Sequence, residues 1–170
     1  MTRQDLIHKW LIYALGLVPV WLLDAYILPR FPVFGVSPML LPAAVASVAV
    51  LEGALAGTGF GMAVGLLWEL AYPGGFGGLV LFMALAGLLI GTVSQLALSQ
   101  STLGCLVCSG GAFLALDGLR IFRGLMKNIA TVSIMLEVAV PEVLLSLLWT
   151  LPIWLLFRFI FNRVGGTKLA

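Results

Sequence analysis

Six of the seven acidic residues lie in or at the ends of apolar runs: Asp24, Glu52, Glu69, Asp117, Glu137 and Glu142. Carboxylates placed in lipid are costly, and they mark ion or proton pathways unless they cap a helix or pair with a base. A pathway needs such groups spaced across the bilayer. The alternative is interfacial capping or charge pairing. Glu52 falls at a predicted turn, and Glu69 is close to the Pro73–Gly78 link. Asp117 stands three residues before Arg120, within reach of it on one helix face. Glu137 and Glu142 sit in the last apolar segment, where sequence alone names no partner for them.

Cys105 and Cys108 form a CxxC. In a soluble protein this spacing suits a redox pair or half a zinc site. Here there is no second pair, and His8 is the only histidine. The flanking Leu103, Leu106 and Val107 disfavour a thiolate. Both cysteines read as small helix residues, and His8 as a solvated or headgroup residue. The chain has no P-loop, no HExxH and no Ser–His–Asp set. No enzyme activity, metal or cofactor is expected.

Gly53, Gly57, Gly61 and Gly65 recur every four residues, and Gly87 with Gly91 repeats the step. Small residues at this spacing let two helix backbones approach closely. The partner is either another helix of the same bundle or a second copy in a homodimer.

These groups need helices to position them. Of 170 residues, 62% are hydrophobic, another 20 are Gly, and only 9% are charged. A soluble domain carries about 25% charged residues, so a water-soluble fold is excluded. Disorder is excluded too, since it needs low hydrophobicity. A nucleic-acid module, which needs a basic patch, is excluded, and the net charge of +2 is too small to imply an acidic partner. An all-α, polytopic membrane protein remains, with six transmembrane helices in a compact bundle. Its helices are predicted at about 10–28, 38–51, 56–72, 79–98, 103–121 and 133–161. The apolar run 38–72 is too long for one crossing: as a single helix it would measure about 52 Å against a core of roughly 30 Å. It divides near Glu52–Gly53 into two helices, both expected to be short and Gly-rich. Pro19 can kink the first helix, and Pro141 and Pro152 interrupt the last. Arg120, Arg123 and Lys127 share one helical face, which predicts a short interfacial amphipathic helix at about 120–131 against membrane lipid. Several of the five tryptophans suit interface anchors.

An even helix count puts both termini on one side, with Arg3, Lys9, Arg158, Arg163 and Lys168. Arg30, Arg120, Arg123 and Lys127 are on the other. The small excess favours cytoplasmic termini. A five-helix count would put the termini on opposite sides.

The stretch from Phe34 to Gly91 resembles the rod-shape-determining MreD family. It opens with Phe34, Gly35, Pro38, Leu40 and Leu41, in an F-G-x-x-P-x-L-L pattern. It continues through Gly53 and the Gly-rich helix to Gly65-Leu66-Leu67-Trp68-Glu69-Leu70. There the family usually reads G-L-L-x-D-L, so Glu69 keeps the acid with one more methylene. Gly77–Leu79, Gly87 and Gly91 match the next turn and helix, and the Pro-containing last helix ahead of a basic tail is also similar.

The resemblance implies a six-helix protein of the bacterial cytoplasmic membrane with no enzymatic activity of its own. It implies a scaffold role in cell-shape maintenance and sidewall peptidoglycan synthesis, beside MreC, MreB, RodA and a transpeptidase. Glu69 and the Arg120–Lys127 stretch are then candidate contacts for an MreC-like partner. The family's fold also resembles substrate-binding subunits of energy-coupling-factor vitamin transporters. Those carry an A-x-x-x-A pattern on the first helix, whereas here Ala14 and Ala25 stand far apart. A small ion-coupled carrier is a third class, resting on the carboxylates alone; no inverted repeat supports it.

Overall fold

The computed structural model describes residues 3–32, 35–71, 78–96, 101–126 and 132–164. Nearly all of them are helical. The α-helices are α1 (Arg3–Leu22), α2 (Leu41–Glu52), α3 (Ala54–Ala71), α4 (Gly78–Leu96), α5 (Thr102–Met126) and α6 (Val132–Val164). Lys127, the Pro73–Gly77 part of the Gly-rich link, Phe34 and residues 165–170 of the tail lie outside the described residues, while Arg163 is in the last turn of α6.

Among the described residues, four segments are long and apolar enough to cross a membrane: Ile7–Arg30, Gly78–Leu96, Thr102–Met126 and Ile134–Val164. Only 33–39% of the most apolar stretch of each is buried within the protein. The rest faces outward and stays apolar, as Leu15, Leu81, Val107 and Leu155 show. A helix at a water boundary would turn polar on that side, so this surface suits lipid.

The centre of the fold is the short helix α2. Every residue from Leu41 to Leu51 is buried, and α1, α3, α4, α5 and α6 all pack against it. Twelve residues make only about 18 Å of helix, so α2 lies wholly within the bundle. Small residues (Ala43, Ala44, Ala46, Ser47, Ala49) make room for so many neighbours. Pro42 fits its first turn, where no intrahelical N–H bond is lost. Gly53 ends it at φ 91° and ψ −173°, a conformation essentially closed to residues with a Cβ. The chain then reverses directly into α3.

Glycines seat α3 on α4. A Cβ built on Gly57 would fall 2.7 Å from the Gly87 carbonyl oxygen, and one on Gly65 would fall 2.6 Å from the Val80 Cα. Gly61 faces the Met83 carbonyl, and Gly91 faces the Ala54 backbone, more tightly still. The Gly ladder therefore lines a close intramolecular contact. Gly59 points away, with nothing within 4 Å of its Cβ position.

Three local expectations change. Arg120–Met126 is not a separate interfacial helix but the last turns of α5. Nothing between Asp117 and Met126 breaks the helix, and its 25 residues measure about 37 Å. The amphipathic end is therefore a continuation beyond the apolar part. Second, α6 runs unbroken through Pro141 and Pro152 over 33 residues, since a membrane helix tolerates proline where neighbours satisfy the freed carbonyls. Third, of the two short helices only α3 is Gly-rich, since α2 contains no glycine and packs through alanines instead. The helix α1 runs on past Pro19. Its irregularity comes later, in a π-helical turn at Leu23–Ile27 and a 3-10 turn at Leu28–Arg30.

Candidate functional site

Asp24 lies in the π-helical turn and is 7% exposed. Such turns re-aim a side chain out of its regular register. The Asp24 Oδ1 accepts the Leu40 N–H at 2.7 Å, at the N-terminus of α2. Next to it, the Met39 N–H donates to Ser146 Oγ of α6 at 2.8 Å, and that hydroxyl donates to the Glu142 carbonyl at 2.6 Å. The orphan N–H groups of a buried helix start thus find acceptors on two other helices. The negative carboxylate also faces the positive end of the α2 dipole.

Around this start is a cavity of about 300 Å3, lined by Asp24, Ser37, Pro38, Met39, Trp68, Arg120 and Glu142. The Arg120 guanidinium donates to Glu142 Oε1 at 3.0 Å, and its Nη1 lies 3.5 Å from Asp117 Oδ1. The ion pair separates this cavity from a second one of about 270 Å3 between α5 and α6. The C-terminal ends of α1, α3 and α5 meet here with the N-terminal ends of α2 and α6. The guanidinium thus pairs with two carboxylates, Asp117 and Glu142, while Asp24 lines the same cavity as Arg120.

Lys9, Tyr13 and Glu52 form a second polar centre at the opposite end of α2. Lys9 Nζ pairs with Glu52 Oε2, and Tyr13 Oη donates to Glu52 Oε1 at 2.8 Å. The Lys9 and Glu52 side chains are 8% and 3% exposed. Sequence placed Lys9 among the basic residues on the side of the termini and Glu52 at a turn; packing makes them a buried pair.

No protein family, curated protein or solved structure matches the chain. The residues singled out from sequence are therefore judged by geometry. Arg120 enters the cavity cluster, while Arg123 extends from the next turn, exposed, with its guanidinium near Gly78 at the start of α4. Glu69 is half-buried near the end of α3, and its Oε1 is buried without a hydrogen-bond partner among the described residues. Its neighbour Trp68 lines the cavity. Gly53, Gly57, Gly61, Gly65, Gly87 and Gly91 all belong to the α2–α3–α4 contact. Glu137 and His8 are exposed. Both cysteines are buried free thiols, with Cys105 Sγ 3.6 Å from Ser47 Oγ and 3.8 Å from Ser109 Oγ.

Asp24, Ser146 and Glu142 belong together only through the fold. Their sole sequence signal was a carboxylate in an apolar run. The Asp24 cap predicts a graded result. Asp24→Ala leaves a buried N–H unsatisfied and is expected to lower stability by about 1–3 kcal/mol. Asp24→Asn keeps an acceptor and should recover most of that. Thermal unfolding of the purified variants reads the order; equal midpoints for Ala and Asn would discard the capping role.

Proposed function

We propose that this chain is a multi-pass protein of the bacterial cytoplasmic membrane and a non-catalytic scaffold of the cell-elongation machinery, of the MreD kind. It would support cell shape and sidewall peptidoglycan synthesis by binding an MreC-like protein. The reading has six helices running between the two membrane faces, α2 as a buried short element, and cytoplasmic termini. The order and spacing of residues from Phe34 to Gly91 carry it. That stretch includes all of α2 and α3, which pack with α4. A rigid unit with an apolar outer face suits a helix-binding scaffold. Glu69 supplies the candidate polar contact on that unit, between the exposed Leu66 and Leu70.

The test is recovery of the partner. Tagged full-length protein, extracted from its native membrane in mild detergent, should bring down an MreC-like protein. Glu69→Ala should insert normally yet recover at least several-fold less of it. Unchanged recovery would remove Glu69 from the contact, and the absence of any elongation protein with the unaltered chain would overturn the scaffold reading. The polar cavity beside Asp24 favours a second reading, a transporter substrate-binding subunit for a vitamin or similar solute. An ATPase-containing transporter module in the same purification would select that one.

A further inference from the structure

Fifteen uncharged residues stand between Glu142 and Arg158 on α6. They make about 22 Å of helix, against a hydrocarbon core of roughly 30 Å. At least one of the two charges therefore lies inside the hydrocarbon edge. Glu142 is met by Arg120 at 3.0 Å. Arg158 is exposed and forms no ion pair among the described residues. Two helices fix its depth. It precedes Val164, the end of α6, by six residues, about 9 Å. Its neighbour Phe157 stacks on Tyr13 with ring centroids 6.2 Å apart, and Tyr13 is six residues inside the apolar span that opens at Ile7. Arg163, by contrast, is in the last turn of α6, with its guanidinium 5.3 Å from the centre of the Phe159 ring. Arg158 also belongs to a stripe. Leu144, Leu148, Leu151 and Leu155 are all exposed, and Arg158 and Asn162, exposed as well, continue their alternating steps of four and three. That is the heptad seam by which one helix takes another, and a polar residue within such a seam selects partner and register.

We propose that this face of α6 seats a transmembrane helix of another protein, one that carries a carboxylate opposite Arg158. Charge complementarity selects that occupant. A second copy of this chain is disfavoured, because copies inserted the same way are related by a two-fold axis along the membrane normal. The stripe would then meet itself residue for residue, with Arg158 against Arg158. Direction counts against a lipid phosphate. The Cα–Cβ bonds of a helix tilt toward its N-terminus, and α6 reaches the nearer membrane face with its C-terminal end. The Arg158 stem therefore leans into the hydrocarbon, away from the nearer headgroups. A carboxylate at the same depth on a neighbouring helix meets the guanidinium there with charge-assisted hydrogen bonds. The leucines below it cover the apolar part of that helix. A charged group in a spanning segment is costly unless it finds such a partner. The inference does not rest on the scaffold reading, whose contact is Glu69 on α3, and loss of the Glu69 effect has no bearing on it.

The test is photo-crosslinking of the full-length protein in its native membrane, with p-benzoylphenylalanine in place of Leu151. Irradiation is expected to join it to a different protein, and mass spectrometry of the adduct should map the link to a transmembrane segment containing Asp or Glu. Arg158→Leu should cut the adduct yield at least five-fold, whereas Arg158→Lys should keep most of it. Arg158→Glu should also lose the adduct and regain it when the mapped carboxylate is exchanged for lysine, a rescue that a folding defect would not show. The same photoreactive group in place of Val107 on α5 should not capture that segment. Adducts with lipid alone, or with a second copy of this chain, overturn the proposal. So does a mapped segment without a carboxylate, an undiminished yield from Arg158→Leu, or failure of the charge exchange to restore the adduct.

Discussion

Replacing Gly87 with leucine is expected to prevent recovery of folded protein. The Cβ position of Gly87 lies against the Gly57 carbonyl group and the Thr58 nitrogen, which are backbone atoms of α3. Backbone cannot step aside as a side-chain terminus can. The strain leaves only by separating the two helices, and that opens the contacts at Gly57, Gly61, Gly65 and Gly91 together. Overpacking in a well-packed core usually costs about 1–3 kcal/mol, occasionally more. Gly87→Ala belongs in that range, and Gly87→Leu well above it. Gly61→Leu should match it, because its Cβ position meets the Met83 carbonyl. Gly59→Ala and Gly118→Ala provide the contrast: neither Cβ position has anything within 4 Å. Those two should stay within about 1 kcal/mol of the unaltered chain. Fluorescence-detected size exclusion of all five variants reads the result. A monodisperse Gly87→Leu peak with an unaltered melting point would show that α3 and α4 are not held by backbone proximity.

The glycine spacing illustrates what sequence reveals and what it withholds. A four-residue step of small residues announces a close helix contact, because only missing side chains allow one. It does not announce whose helix fills the gap. Likewise, composition alone reveals an apolar helical chain suited to a membrane, since hydrocarbon tolerates no exposed peptide groups outside helices and closed barrels. The Asp117–Arg120 contact follows from helix geometry, as residues three apart share a face. The Arg120–Glu142 pair, 22 residues apart, does not. Nor does the Met39–Ser146 bond across 107 residues. Both exist because five helices converge around one buried twelve-residue segment, and no local pattern encodes that convergence. The basic face of Arg120, Arg123 and Lys127 misleads for a related reason. Its periodicity states that the segment is helical, but not that the helix is the one already running.

Removing the Lys9 charge is the second change expected to have a large effect. Glu52 is the last residue of α2, where the helix dipole is negative and disfavours a carboxylate. Its side chain is 3% exposed, so water screens little of that repulsion. The Lys9 ammonium answers both problems: it pairs with the carboxylate and places positive charge at the C-terminal end of α2. Tyr13 completes the site from one turn further along α1. It is fully buried, stacked on Phe157 with ring centroids 6.2 Å apart and edge-on to Phe60 at 6.5 Å. Truncating one member of a buried pair leaves the other charge uncompensated and typically costs about 3–5 kcal/mol. Lys9→Met should therefore lower the unfolding midpoint by on the order of 10 °C for a chain of this size. The double variant Lys9→Met, Glu52→Gln removes both charges and keeps an acceptor for the Tyr13 hydroxyl. It should return most of the loss, because a neutral amide in that position no longer needs a cation. If the double variant melts as low as Lys9→Met, the loss does not come from an uncompensated Glu52 charge. If Lys9→Met melts within 2 °C of the unaltered chain, about 1 kcal/mol or less, the pair does not anchor α2, and the short helix is held by the Asp24 end alone.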